Sequence, residues 1–429
     1  MKIPVLGKCL LIIIMIATVI SPLFFLRLNE QTFNLNLFKV LAKAGSLCGT
    51  ILLIWQSLLG YRGITGKLFP DLIWILNVHK TIGRYALFLI TLHPVFITFY
   101  YLRKKQFNPL LFEKGLPFDA YVLVGIIAFV IFLLIVITSV FFRTKMNFKN
   151  WYGIHITSYL AILLLFVHSI PIGQTLSGTQ LGNLWWLLAF FVIAVFIWRL
   201  LNQLGIGAKT YSVSDARNVG LQATEITCDP VKGAIKPRIG QFVYFRTNRR
   251  QCGRPFTVSQ VNSGRLSITV KALGHYSTSL QSIQPGQKAY IDGPYGIFLQ
   301  DALKSDRPLI MIAGGIGITP FYRLLTESTD IKREMILFYG SKTVDEIVYH
   351  SELEKMEHVK VIHVISHQKD YLGEKGFITL EIIQKYADQN LTGYDFLLCG
   401  PPVMIKKLEK TLLKATISPE RIHHELFSY

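Results

Sequence analysis

Four histidines stand in two apolar stretches: His79 and His93 bracket HKTIGRYALFLITLH, and His155 and His168 bracket HITSYLAILLLFVH. Each stretch is long and apolar enough to cross a bilayer, where an ionisable side chain is costly and reads as functional. On a helix the first pair is separated by ~21 Å and the second by ~19.5 Å, so the two steps nearly match in height. Each height can hold one haem iron between the helices, with one imidazole from each in a six-coordinate bis-histidine site. Rotation agrees less well. Fourteen residues return to within about 40° of the starting face, whereas thirteen miss it by about 140°, which predicts a bulge, a bend or an off-axis haem on the second helix. The competing reading is four separate helix-end histidines reaching toward water. The matched heights argue for metal. Gly83, Ala86 and Ser158 are small enough to let a porphyrin approach the backbone.

These histidines need a helical bundle to hold them, and the amino-terminal half supplies one. Hydrophobic residues make up 51% of the 429, and the apolar runs of spanning length all lie before residue 204. Spans are expected at about residues 9–26, 37–60, 80–102, 119–142, 152–170 and 183–204, the first being retained because it lacks a small-residue cleavage site. With the amino terminus inside, the inner loops carry nine basic residues against five outside, which fits the positive-inside rule. The outer cluster Arg103, Lys104, Lys105 runs against it, meeting either an anionic group or plain solvent. Lys80 and Arg84 beside His79 face either haem propionates or lipid phosphates. The net charge of +19 comes with no basic stripe interleaved with stacking aromatics, so phosphate-bearing cofactors and membrane lipid are expected as partners and nucleic acid is not. The five cysteines show no C-x-x-C spacing.

After the short connector at Gly205, Gly207 and Ala208 the pattern changes to brief alternating runs. Gly240–Arg246, Arg254–Ser259 and Leu266–Lys271 read as strands of a small antiparallel barrel, the last running into Gly274-His-Tyr276-Ser277-Thr278. Pro308–Ala313 is apolar throughout, as a buried parallel strand should be, and Gly314-Gly315-Ile-Gly317-Ile318-Thr319-Pro320 follows it into a helix. Backbone amides at such a turn suit a pyrophosphate, although any tight strand-to-helix turn wants glycine. Further strands at Met335–Gly340, Val359–Ile365 and Tyr394–Cys399, the last ending in Gly400-Pro401-Pro402, complete an α/β nucleotide domain. The expected fold is therefore multi-domain: a six-helix transmembrane bundle over residues 1–204, an antiparallel β-barrel over 205–302 and an α/β parallel-sheet domain over 303–429.

Arg254-Pro255-Phe256-Thr257, the Gly314–Pro320 loop and Cys399-Gly400-Pro401-Pro402, in that order, resemble the ferredoxin-NADP reductase superfamily. Joined to six spans with paired histidines, the whole chain resembles the short bacterial forms of the ferric reductase and NADPH oxidase family of transmembrane cytochromes b. The resemblance implies FAD in the barrel, with Arg254 on its phosphates, Phe256 and Thr257 at the isoalloxazine, and Lys271, Gly274, Tyr276, Ser277 and Thr278 supporting the pyrophosphate. It implies NADPH or NADH on the Gly314–Pro320 loop, with the nicotinamide near Thr257, Cys399 and a carboxy-terminal aromatic, Phe427 by the acidic-x-Phe pattern or else Tyr429. Ser341 and Lys342 stand where the family reads the ribose, and a cation there favours the 2′-phosphate of NADPH. Cys399 is alternatively a buried structural thiol. The oxidases of this family commonly carry His where this chain has Arg254, the form usual in soluble reductases.

The expected function is a membrane oxidoreductase that moves electrons from cytosolic NAD(P)H through FAD and two haems b to an acceptor across a bacterial inner membrane. Dioxygen, yielding superoxide, heads the acceptors, followed by a ferric chelate. A third reading is an electron-transfer module for an extracytoplasmic protein, which outer loops of about 8 to 17 residues disfavour against the ~800 Å² per partner of a stable interface. A fourth is a flavin reductase whose membrane half is only an anchor. Nothing in the sequence requires a partner protein.

Overall fold

The computed structural model describes residues 5–69, 71–112, 114–204, 206–249, 251–327, 333–388 and 390–426, and the chain divides into two compact units, 3–201 and 202–429 with residues 1 and 2. The first unit is a helical bundle. Six helices are long and apolar enough to cross a membrane: Leu6–Phe25, Phe33–Leu59, Trp74–Lys105, Phe118–Val140, Phe148–Ile172 and Gln180–Asn202. Large apolar side chains such as Phe24, Phe88, Leu187 and Phe190 are exposed on their outer faces, as lipid requires, while Leu47, Ile51, Ile90, Phe166 and Trp185 fill the interior. The chain is therefore a multi-pass membrane protein.

Three departures from regular helix matter for the histidines. The second span widens into a π turn over Ala44–Cys48. The third helix, Leu72–Lys105, contains Pro94 next to His93, and it begins well before residue 80 because the Asp71 side chain caps it by accepting from the Trp74 amide at 3.1 Å. The fifth span is two helices, Phe148–Ile156 and Ser158–Ile172, meeting at Thr157. There the Thr157 amide bonds back to the Ile154 carbonyl at 3.1 Å, a tighter turn than the α-helix makes. The chain thus resets its phase between His155 and His168, as the thirteen-residue spacing predicts. Ion pairs mark the two ends of the bundle. Lys8 meets Asp71 at 2.7 Å at one end, and at the other Glu30 takes Lys104 at 2.6 Å, Lys39 at 3.2 Å and the Tyr100 hydroxyl at 2.8 Å. The Lys104 hydrogen bond above all holds the Glu30 carboxyl down to about 2.

The second unit holds a closed barrel of β1 (Lys209–Gly220), β2 (Ala223–Pro230), β3 (Phe242–Arg246), β4 (Arg254–Asn262), β5 (Arg265–Lys271) and β6 (Lys288–Tyr295), in the order β1-β2-β5-β4-β3-β6 with every pair antiparallel. Both β1 and β2 lie within the expected barrel domain, but the strands named from the sequence begin at Gly240 and leave these two out. Their broken alternation, with register shifts inside β1, hides them. Leu266, Ile268 and Val270 point inward with Ile226, Phe245 and Val258 to fill the barrel. A parallel sheet follows, made of β7 (Leu309–Gly314), β8 (Met335–Ser341), β9 (Lys360–Ile365), β10 (Glu374–Lys375), β11 (Asp395–Gly400) and β12 (Ile422–Leu426), in the order β10-β9-β8-β7-β11-β12. Both faces of its centre are buried. Met311 and Leu337 face one core while Ile310, Ile312 and Phe338 face the other, which is why these strands read as unbroken apolar runs.

Candidate functional site

The histidines are brought together in two pairs. The rings of His79 and His155 lie 6.0 Å apart, and those of His93 and His168 also lie 6.0 Å apart. Two trans imidazoles on one metal, with bonds of about 2 Å and about 1 Å more from each nitrogen to its ring centre, stand about 6 Å apart. The other ring nitrogens are engaged. His79 Nδ1 lies 3.1 Å from the Gln56 carbonyl, His93 Nδ1 3.1 Å from the Ala42 carbonyl beside the π turn, and His168 Nδ1 2.7 Å from the Tyr121 carbonyl. A carbonyl only accepts, so each Nδ1 carries the proton and each Nε2 keeps its lone pair for a metal. His155 Nδ1 meets the Ser139 hydroxyl at 3.2 Å, and Trp151 stacks on its ring at 4.9 Å. Glycine makes room for both partners of the second pair: a Cβ at Gly125 would lie 2.5 Å from His168 Nδ1, and one at Gly45 would lie 2.4 Å from the His93 amide nitrogen. These residues fit two bis-histidine haems.

Several surroundings differ from expectation. Gly83 faces the Gln56 amide, 3.2 Å from where its Cβ would be, and Ala86 is fully buried among Leu47, Ile51 and Ile90. Both serve helix packing. Lys104 is committed to Glu30, and Lys105 lies over the Tyr101 ring at 5.5 Å, so neither is a loose surface cation. Lys80 and Arg84 are exposed. The sequence reading missed two cations. Arg199 in the sixth span bonds the Tyr152 hydroxyl at 3.4 Å and the Tyr159 hydroxyl, and its charge reaches His79 and His155; Lys43 in the second span likewise reaches His93 and His168. A basic residue near a helix end is the only signal either offers.

In the second unit the candidate residues collect where the barrel meets the carboxyl ends of the parallel strands. Thr257 in β4 pairs with Phe242, which pairs with Tyr295; Gly296, at φ +93°, lies against the Phe242 ring and 3.6 Å (from its would-be Cβ) from the Glu425 carboxyl. Glu425 in turn pairs in register with Cys399, and Cys399 with Ala313 at the end of β7. The Thr257 hydroxyl is buried without a partner, as is Glu425 Oε2, so two polar atoms at this junction are left to a ligand. Burial pushes the Glu425 carboxyl up to about 8. Burial first, and then Glu425, push the Cys399 thiol far above its usual range.

Arg254 opens β4 opposite Phe245, while Phe256 packs on the barrel core with its ring 6.3 Å from that of Phe245. Tyr276 donates to the Phe245 carbonyl at 3.2 Å, and burial pushes its phenol up to about 12. The Ser277 hydroxyl accepts from the Leu273 and Gly274 amides at 3.0 Å each, and the Thr278 amide bonds the Gly274 carbonyl at 2.9 Å, so these positions first build their own turn. Lys271 forms an ion pair with Glu346 at 2.6 Å. Pro255 sits opposite Tyr244.

Along the sheet edge, Gly315 adopts φ +53°, and a Cβ at Gly317 would strike the Cys399 carbonyl at 2.2 Å. One at Gly314 would meet Pro401 at 2.8 Å, so the Gly314–Ile318 loop and the Cys399-Gly400-Pro401 turn pack directly on one another. Ile318 and Thr319 are buried and Pro320 starts the helix Thr319–Glu327 from inside the core, so what these positions offer a phosphate is backbone amide. Ser341 ends β8 and exposed Lys342 follows it; their carbonyls accept from the Ser366 and His367 amides at 3.0 and 2.8 Å. Phe427 and Tyr429 lie outside the described residues. Glu425 was missed in sequence because it stands in a short strand, β12, that reads as a tail.

Three family models match consecutive segments. Residues 44–166 match the ferric reductase like transmembrane component, 223–299 the oxidoreductase FAD-binding domain and 311–410 the oxidoreductase NAD-binding domain. Among curated proteins, NADH-cytochrome b5 reductase 1 of Debaryomyces hansenii is 34% identical over 158 residues, covering 34% of this chain and 55% of that protein. NADH-cytochrome b5 reductase 1 of Arabidopsis thaliana is 29% identical over 180 residues, covering 39% and 64%. The chain thus spans little more than half of the first of these relatives. Among solved structures, the flavohem-like FAD/NAD binding domain of nitric oxide dioxygenase from Vibrio cholerae aligns with a TM-score of 0.47 at 20% identity, over 51% of this chain and 98% of that one.

Proposed function

We propose that this chain, which joins a ferric reductase like transmembrane component to oxidoreductase FAD- and NAD-binding domains, carries electrons from cytosolic NAD(P)H across a bacterial inner membrane to a small oxidant on the far side. The observation that carries the proposal is the double histidine pairing at 6.0 Å with three of the four Nδ1 atoms turned to backbone carbonyls. Snorkelling histidines would have no reason to meet in pairs or to share a tautomer.

Bound FAD supplies the exchange between hydride and single electrons, and two haems b supply one-electron carriers. The chain's own work is to position and insulate. Arg254 and the 274–278 turn hold the flavin's phosphates, with Phe256 and Thr257 at its ring; the Thr257 hydroxyl donates into the space where it has no protein partner. Backbone amides of Gly315, Gly317 and Ile318 receive the nicotinamide nucleotide's pyrophosphate, and Ser341 and Lys342 its ribose, with NADPH preferred through Lys342. Glu425, neutral at pH 7, places no negative charge beside the reacting rings and holds a proton there. His79 and His155 would hold one iron and His93 and His168 the other, and half-buried Arg199 and Lys43 would offset the negative charge of the haem carboxylates.

Dioxygen, giving superoxide, is the acceptor proposed first. A ferric chelate is the second, favoured by the match of residues 44–166 and by Arg254 in place of histidine. An anaerobic spectrum of the purified protein with FAD and NADPH tests the reading: a reduced b-type haem signal should appear on adding NADPH and vanish on adding the true acceptor. Absence of any haem signal would leave a membrane-anchored flavoprotein.

A further inference from the structure

Away from both sites, three side chains converge on the outer part of the parallel-sheet domain. His350 Nε2 lies 3.9 Å and His363 Nε2 lies 3.1 Å from Glu354 Oε1, and one ligand atom from each residue falls within 4.8 Å of the others. The two ring centres are 5.2 Å apart with planes at 76°. This spacing differs from the histidine pairs of the bundle. Two imidazoles on one tetrahedral cation, each ring centre about 3 Å from the metal, stand about 5 Å apart, whereas trans ligands stand about 6 Å apart. We propose that His350, Glu354 and His363 form a three-ligand site for a divalent cation of the Zn²⁺ class, its fourth position open to water.

The elements suit the role. His350 and Glu354 are four residues apart across the short helix His350–Leu353 and so project from one face, while His363 comes from β9, a rigid strand inside the sheet. His363 is 8% exposed and fixes the inner ligand, whereas the side chains of His350 and Glu354, 42% and 58% exposed, leave a path for the ion. Imidazole with one carboxylate selects zinc and its first-row neighbours over calcium or magnesium, which take oxygen alone. Without the ion the triad is a hydrogen-bonded cluster in which His363 Nδ1 is buried and unpartnered.

Occupancy would tie β9 to the segment that bolts the sheet to the barrel. Tyr349, directly before His350, is held at φ +62°, stacks on Tyr322 with ring centres 3.6 Å apart, and donates its hydroxyl to Glu225 of β2 at 2.7 Å. The site is independent of the flavin and haem assignments, and so is its test. Full-length protein without a histidine tag, stripped with chelator in detergent, is titrated with Zn²⁺ by equilibrium dialysis and followed by thermal unfolding. One saturable equivalent that raises the melting temperature is expected, with affinity falling at least ~10-fold in His350→Ala and in Glu354→Gln, two substitutions at exposed side chains that leave the core intact. No saturable Zn²⁺, or an equivalent bound with unchanged affinity by both variants, overturns the site.

Discussion

Gly125 gives the sharpest test of the histidine pairing, because the three atoms nearest to a methyl group there all belong to the His168 ring. A Cβ at this position would lie 2.5 Å from His168 Nδ1, 2.7 Å from Cε1 and 2.9 Å from Cγ, against an ordinary contact of 3.4 Å or more. In Gly125→Ala the ring must retreat by about 1 Å, several times the ~0.2 Å tolerance of a metal–ligand distance. The displacement also breaks the 2.7 Å bond from His168 Nδ1 to the Tyr121 carbonyl and disturbs the 6.0 Å pair with His93. Overpacking of this kind costs about 1–3 kcal/mol, which a bundle of this size survives. Haem per polypeptide, measured by pyridine haemochrome against flavin, should fall from about two to about one. The remaining haem should keep its potential, since His79 and His155 are about 20 Å away along the helix. Gly153→Ala, where a Cβ has no neighbour within 4 Å, should keep both haems. If Gly125→Ala retains two haems with unchanged potentials, the paired-ligand assignment of His168 is wrong.

Thr257→Val removes a buried hydroxyl that has no protein partner, so the flavin-free protein should be no less stable while FAD affinity falls roughly 5- to 10-fold, the worth of one hydrogen bond; a destabilised flavin-free protein would place that hydroxyl in the protein's own bonding. Glu425 has its folded value raised to about 8 from 4.5, so the unfolded chain loses its proton first as pH rises. Stability should therefore fall between about pH 4.5 and 8, by about 1.4 kcal/mol per unit at most, and Glu425→Gln should flatten that slope in thermal unfolding against pH. Lys342→Ala should raise the Michaelis constant for NADPH far more than that for NADH, and equal effects would remove the 2′-phosphate role. Replacing His93 should abolish transfer across the membrane while NAD(P)H still reduces FAD, as separate stopped-flow measurements at flavin and haem wavelengths would show.

The local sequence determined the parts that depend on periodicity and spacing. Apolar runs of membrane length specify spans wherever water is absent, because the backbone has no other way to satisfy itself there. Unbroken apolar strands such as Leu309–Gly314 specify a sheet covered on both faces, and the glycines after it mark a strand-to-helix turn. Even the bend between His155 and His168 was implied by a thirteen-residue spacing that a straight helix cannot place on one face. Other features depend on partners distant in the chain. Whether His168 ligates or merely points outward rests on the Tyr121 carbonyl and the absent side chain of Gly125, 47 and 43 residues away in sequence. The ion pair of Lys271 with Glu346 at 2.6 Å and the complete burial of Cys399 are likewise set by distant segments. Glu425 became a site residue only because β12 docks beside β11 and turns its carboxyl toward Gly296. Charge partners, tautomers and burial are properties of packing between segments, and only the tertiary structure decides them.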